Sequence, residues 1–326
     1  MNYFLIFPNN LFSKKYLPKF DKKTKILIIE DPLFFGDKER IKNFTKLKLV
    51  LHRASMKFYF DYLKENKYSV EYIEYKDAKN YKKIYKFKKD DTISMFDPCD
   101  HLLLKRLKNI IDDENLSIIK TPLFLLSLED LDEYQKTKGN SKTFFHKHFY
   151  DWQLNNNPGG IEIPYIKKSY DTENRQPPTK NLKVPTSIRE KVNDNETKYV
   201  IDAKKYINES SYFKNNYGDV EDFYFPVTHK TSKKWLKDFI KVRLKNFGTY
   251  QDAIIQNEPF MFHSLLSTMI NVGLLTPDKV LNEVIEYYEK NKKEVKINNY
   301  EGFVRQLIGW REYERMLYQL DYENLV

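Results

Sequence analysis

Tyr250, Ser264, Ser267, Trp310 and Arg311 are of types that a bulky anionic ligand uses. A dinucleotide-sized cofactor docking among helices needs hydroxyls and amides near helix starts to hold its phosphates. It also needs a cation to balance charge and flat apolar surface for its rings. Ser264 and Ser267 stand three apart, which predicts one shared face near the start of a helix over 260–272. Trp310 offers a plane that could stack on a base or fill a core. Ordinary helix caps and core aromatics use the same residues, so spacing alone leaves both readings open. His146 and His148 are two apart and fall on different helix faces, which argues against a shared metal; no metal site is expected.

The elements that must position these residues are legible in order. Tyr3–Phe7, Lys25–Glu30, Val70–Tyr75, Thr92–Phe96 and Leu116–Ile119 are short apolar or alternating runs, several of them closed by breakers such as Pro8, Pro32 and Pro122. Such runs read as buried parallel strands. Helices are predicted over Thr45–Asn66, with Leu47, Leu51, Ala54, Phe58 and Tyr62 on one face, and over His101–Ile111. Alternating strands and helices give a doubly wound α/β domain with a parallel sheet, placed at 1–135. Residues 136–198 hold a helix over Thr143–Asn155 and then a Pro-, Gly-, Lys- and Asn-rich connector. Within it, Tyr170–Arg175 carries more polar groups than a tether needs. From 199 to 326 the pattern is helical, with segments near 199–209, 230–246, 260–272, 278–292 and 300–320. Thr276-Pro277 reads as a helix start and Gly273 as the preceding stop. The last helix is expected to place Phe303, Leu307, Trp310, Leu317 and Leu320 on one side, with Arg311 and Arg315 one turn apart beside them.

The chain has 326 residues and a net charge of +10, with 25 Tyr and 23 Phe. This suits a globular protein with two domains. The positive balance fits a polyanionic partner such as DNA, or equally a Lys-rich coding bias. The single cysteine, Cys99, excludes an intrachain disulfide and any all-cysteine cluster built by this chain alone. With no signal peptide and no membrane-length apolar run, a soluble intracellular protein is expected, cytoplasmic or nuclear, with no membrane contact. Gly-rich nucleotide loops are absent after the early strands.

Several segments together carry a resemblance. They are Lys46–Met56, Tyr170–Pro177, Phe225-Pro226-Val227-Thr228, Phe247–Ala253, Phe262–Ser267, Asn271–Pro277 and Gly309–Tyr313. In this order they resemble the photolyase/cryptochrome superfamily, in particular its bacterial photolyase-related (iron–sulfur cryptochrome/photolyase) branch. The resemblance implies an α/β antenna-type domain followed by an all-α FAD-binding-type domain, incomplete here. It implies a flavoprotein of light-dependent DNA repair, reversing pyrimidine photoproducts flipped out of the duplex. By the same resemblance, Tyr250, His263, Ser264, Leu265, Leu266 and Ser267 would contact FAD, and Arg311 would lie beside it. Trp310 and Arg315 would face DNA and the lesion. A lumazine-type antenna could sit in the α/β domain.

Two positions depart from the pattern: Pro8-Asn9-Asn10-Leu11 stands where a Gly-Asp-Gln-Leu turn is usual, and Thr45 where histidine is common. Both count against antenna binding. The chain stops at Val326, before the cluster cysteines, so no iron–sulfur cluster is expected. The expectation is one half of a split or truncated protein that is completed by a C-terminal-half polypeptide and inactive alone. The alternatives are a degenerate photolyase fold that binds DNA or protein without catalysis, and an unrelated α/β enzyme using the sheet's cleft.

Overall fold

The computed structural model describes residues 1–139 and 143–321. Residues 140–142 of the predicted connector and the terminus at Val326 lie outside them. The chain forms two compact units, each assembled from separate stretches. The first comprises Met1–Thr121, Val192–Ser232 and Thr268–Leu275; the second comprises Pro122–Lys191, Lys233–Ser267 and Thr276–Val326. Among the described residues no helix is long and apolar enough to cross a membrane.

The first unit holds a sheet of β1 (Asn2–Ile6), β2 (Thr24–Ile29), β3 (Val70–Ile73), β4 (Thr92–Phe96) and β5 (Leu116–Ile119). Their order is β3-β2-β1-β4-β5, and every neighbouring pair is parallel. This is the doubly wound α/β class that the apolar runs predict. β1 is central, and Phe4, Leu5 and Ile6 on it are fully buried, as continuous apolar runs require in a sheet covered on both faces. Strand order reverses between β1 and β4, so their carboxyl ends form the topological switch point. Between the strands run α1 (Pro32–Phe35), α2 (Lys46–Glu65), α3 (Tyr75–Ala78), α4 (Tyr81–Ile84) and α5 (His101–Lys108). Leu5, Phe7, Leu27 and Ile29 pack with Met95, Leu103 and Leu107 in one core. Each such side chain contributes roughly 1.5–3 kcal/mol by leaving water.

The long helix α2 is buried over more than the predicted stripe. Leu49, Val50, Met56, Tyr59 and Leu63 are buried, while Leu47, Phe58 and Tyr62 are only half-buried. A second cover explains the difference, because α8 (Lys198–Glu209) packs along α2. Arg53 Nη1 donates to Glu30 at 2.6 Å and Glu74 at 2.6 Å, and its guanidinium lies 3.5 Å from the centre of the Tyr206 ring. Glu30 follows β2 and Glu74 follows β3, so Arg53 ties α2 to two strand ends. Burial raises Glu30 from the usual carboxylate range, against the pull of Arg53.

His52 is enclosed between Phe34 and Phe35, with ring centres 5.9 Å away on each side, and its Nδ1 lies 3.2 Å from the Phe34 carbonyl. Burial, reinforced by Lys48, lowers its pKa from 6.5 to about 3. The folded ring is therefore neutral, and its contribution to stability is present above pH 6.5 and lost as pH falls through about 3. Urea midpoints measured at pH 7 and pH 4 should fall less for His52→Gln than for the native chain. Equal falls would refute this account.

The second unit contains α6 (Leu128–Thr137), α7 (His146–Asn156), α10 (Leu244–Phe247), α12 (Pro277–Lys290), α13 (Ile297–Val304) and α14 (Arg311–Asp321). Helix α9 (His229–Asp238) leads through a π-helical stretch, Phe239–Arg243, into α10, and α11 is Ser267–Asn271. Gly273 does close α11, with a left-handed φ of +85°, and a Cβ there would lie 2.9 Å from Leu11 N. Thr276 precedes α12 as predicted, but its hydroxyl makes no cap bond.

Candidate functional site

Tyr250 to Leu266 is not the helical approach that the spacing predicts. The helix expected over 260–272 is only Ser267–Asn271, so Ser264 lies outside it and shares no helical face with Ser267. Backbone geometry is the reason. Asn257, Met261 and Leu265 have φ of +64°, +38° and +55°, which no right-handed helix accommodates, and Pro259 cannot donate to a helical ladder. The loop is still ordered by its own contacts. Tyr250 stacks on Phe262 at 5.6 Å and 27°, and Trp235 Nε1 donates to the Ser264 carbonyl at 3.0 Å. Leu266 N donates to Ser264 Oγ at 3.4 Å, closing a serine turn.

His263 N donates to the Phe260 carbonyl at 2.8 Å, and burial lowers the pKa of its ring. A cavity of about 270 Å³ opens beside it, lined among others by Ala253, Ile255, Met261 and His263. Ile254, also on its rim, is 88% exposed. Tyr250, His263, Ser264, Leu265 and Leu266 thus lie on one loop, and Ser267 opens the helix that follows it.

Trp310, Arg311 and Arg315 form a second group. The single helix predicted over 300–320 is three segments, because Arg305–Trp310 is π-helical between α13 and α14. The wider turn shifts the phase of everything after it. Phe303 and Leu307 stay buried, whereas Trp310 and Leu320, expected on the same face, are exposed. Trp310 instead stacks on His146, 3.8 Å away and 7° from parallel. Gly309 permits this approach, since a Cβ there would come 2.8 Å from His146 Nε2. Burial, with Arg305 acting in the same sense, lowers His146 to about 4, so the stacked ring is neutral.

Arg311 and Arg315 do lie one turn apart, and both guanidiniums sit over the Phe124 ring, at 4.7 and 4.6 Å. Arg311 Nε donates to the Leu123 carbonyl at 3.3 Å and Arg315 Nη1 to the Leu126 carbonyl at 2.7 Å. Between them Glu312 is fully buried and accepts the N–H groups of Leu125 at 2.9 Å and Leu126 at 3.2 Å. Sequence reasoning missed this role. Only the placement of an acid between two arginines hinted at it.

The polar density at Tyr170–Arg175 also has its explanation. Asp171 accepts from Arg175 at 2.7 Å and Arg305 at 2.7 Å, and Tyr170 N donates to Glu301 at 3.2 Å. Asn174 is fully buried and exchanges hydrogen bonds with Asn298, which also reaches Thr249 Oγ1 at 3.1 Å. The segment clips α10 and α13 together where Gly248 and Gly302 meet.

Comparison with known proteins bears on the family and the fold. Residues 4–225 match the family described as "Deoxyribodipyrimidine photo-lyase-related protein". "Uncharacterized protein R852" of Acanthamoeba polyphaga mimivirus is 36% identical over 189 residues, covering 54% of this chain and 94% of that protein. The (6-4) photolyase of Agrobacterium fabrum is 40% identical over 155 residues, 47% of this chain and 28% of the photolyase. A bacterial class III photolyase from Agrobacterium tumefaciens superposes with a TM-score of 0.55 at 14% identity, over 99% of this chain and 59% of its own, a likeness of fold. The chain thus spans about three-fifths of that solved photolyase and a smaller share of the (6-4) enzyme. The sheet order, the helical second unit and the sequence match lead to one conclusion: the chain belongs to the deoxyribodipyrimidine photo-lyase-related protein family.

Proposed function

We propose that this chain is part of a photolyase-type flavoprotein for light-dependent reversal of pyrimidine photoproducts in DNA. In this reading the Tyr250–Ser267 loop is one wall of the flavin site. The observation that carries it is the loop itself. It carries a stacked aromatic pair, Ser264 and a small cavity lined by His263, and Ser267 follows it, in a chain that is 40% identical over 155 residues to a (6-4) photolyase. When bound, FAD would supply the light-driven electron, and Ser264 and Ser267 would hold its phosphates.

The residues present do not enclose that cofactor. The cavity is about 270 Å³, below the ~300–1,000 Å³ of ordinary ligand pockets. An open wall leaves most of a flavin's apolar surface in water, and only the surplus over ordering costs appears as affinity. In this reading the opposite wall comes from residues outside 1–326, and a second polypeptide is the candidate to supply it. The mimivirus relative, matched over 94% of its length by 189 residues, is a precedent for a still shorter chain of this kind.

The Pro8–Leu11 departure, which bears on an antenna chromophore, lies at the switch point. Asn9 Nδ2 donates to the Pro98 carbonyl at 2.9 Å, bridging the loops after β1 and β4, and Asn10 beside it is fully buried. Asn9 Oδ1 and both polar atoms of the Asn10 side chain are buried there without a hydrogen-bond partner.

The test is the visible spectrum of the chain purified alone and together with a C-terminal-half polypeptide. Flavin absorbance should appear only in the pair, and a pair that neither associates nor absorbs refutes the reading. In an active pair, Trp310→Ala should weaken binding of photoproduct-containing DNA by about 1–3 kcal/mol, the usual worth of stacking on one base. Unchanged binding would remove Trp310 from the lesion site. A second reading is a binding module without catalysis, in keeping with the chain's net charge of +10. DNA affinity indifferent to light and damage would favour it.

A further inference from the structure

Trp310 is 39% exposed, yet two rings fix its indole. His146 covers one face at 3.8 Å and 7°. Tyr313 meets both rings nearly at right angles, 5.6 Å from His146 and 5.9 Å from Trp310. A ring almost equidistant from two stacked rings stands beside the stack, not over its end. Neither His146 nor Tyr313 therefore covers the outer face of the indole. Tyr313 is itself anchored, because its hydroxyl donates to the Phe144 carbonyl at 2.8 Å. His146 is backed by its own helix. Tyr150 follows it by four residues on α7, hence on the same face, and their rings lie 6.1 Å apart and 6° from parallel.

No hydrogen bond accounts for the placing of His146. Its Nε2 is buried without a partner, a position that polar atoms avoid unless something else favours the ring there. Burial, with Arg305 acting in the same sense, keeps the ring neutral, so it acts through its plane and not its charge. Exposed side chains change rotamer in picoseconds to nanoseconds, and a side chain that must be ordered on binding weakens the complex. An indole already clamped avoids that loss.

We propose that His146 is a positioning residue, whose ring holds the Trp310 indole so that its outer face is offered to a flipped-out pyrimidine photoproduct. The inference rests on the placing of Trp310 at the lesion in the reading above, and adds the residue that presents it. The competing role is packing of α7 against the turn that carries Trp310, which would serve damaged and undamaged DNA alike.

The experiment begins with the full chain and no ligand. The chain has three tryptophans, so the anisotropy decay of Trp310 is read as the difference between each protein and its Trp310→Phe counterpart. His146→Ala should add a subnanosecond component that the native chain lacks. With a C-terminal-half polypeptide present, His146→Ala should weaken binding to a photoproduct-containing duplex by about 2–10-fold, the loss expected from one side chain left to be ordered. Binding to the same duplex without the photoproduct should not change. In a double-mutant cycle, His146→Ala should add nothing once Trp310 is alanine. An unaltered anisotropy decay, equal weakening on both duplexes or additive effects would each overturn the inference. A native protein with no preference for the damaged duplex refutes the reading above, and the inference falls with it. If that preference is intact, a contrary result with His146→Ala refutes the inference alone.

Discussion

Gly248→Ala is expected to lower the thermal midpoint by about 6–12 °C, the shift that ~3 kcal/mol produces in a domain of this size. The direction runs against helix propensity. Gly248 has ordinary right-handed angles, φ −62° and ψ −50°. Alanine at such a site would on its own stabilise by about 1 kcal/mol. Space decides the sign. A Cβ on Gly248 would lie 2.3 Å from the Asn298 carbonyl oxygen and 2.9 Å from Asn299 Cα, both backbone atoms that cannot rotate away. Relief requires α10 and α13 to separate, which breaks the Asn174–Asn298–Thr249 hydrogen bonds that clip the connector down. Overpacking of this kind costs up to about 3 kcal/mol. Gly160→Ala is the control, since no atom lies within 4 Å of its Cβ position and only a φ of +70° opposes the change. It should cost about 1 kcal/mol. If Gly248→Ala melts within about 2 °C of the native chain, the close crossing is not what holds these helices.

Glu312→Ala is expected to destabilise by about 3 kcal/mol or more, because it strands two buried N–H groups and deprives Arg315 of its neighbouring charge. The same residue imposes a pH dependence. Burial raises its carboxyl from 4.5 to about 7, against the pull of the Leu125 and Leu126 N–H groups and of Arg315 and Arg311. The folded chain binds this proton more tightly than the unfolded chain. Its contribution is therefore fully present below about pH 4.5 and is lost as pH rises through about 7, a span worth ~3 kcal/mol. Glu312→Gln cannot ionise and retains one acceptor. Its urea-unfolding free energy should fall less between pH 5 and 8 than that of the native chain. Asp31, raised to about 6 by burial, slopes the same way in both proteins, so the difference isolates Glu312. Parallel profiles would place the ionisation elsewhere. The effect of His52 has the opposite sign and belongs to the acid side, so the two do not mask each other.

All five strands and α2 were readable from local pattern, because short apolar runs closed by proline, and a long periodic run, carry their own instruction. Gly273 was readable for the same reason, since a left-handed closing residue is a local demand. The family resemblance was equally legible, resting on ordered short motifs that required no contact between distant residues.

The candidate site was legible in residue type and not in shape. Nothing local announced the left-handed turns at Met261 and Leu265 that end the predicted helix, or the π-helical turn that carries Trp310 out of its expected face. Glu312 shows the limit most clearly. Its partners Leu125 and Leu126 are 187 and 186 positions away, so its burial, its raised carboxyl and its role as a clasp exist only once the chain has brought those segments together. The sequence by itself determined the α/β sheet, the helical second half and the family, because each rests on patterns within a few turns of chain. Tertiary structure alone decided which polar groups became clasps and which remained available to a ligand, because burial and hydrogen-bond partners are properties of contacts between distant segments.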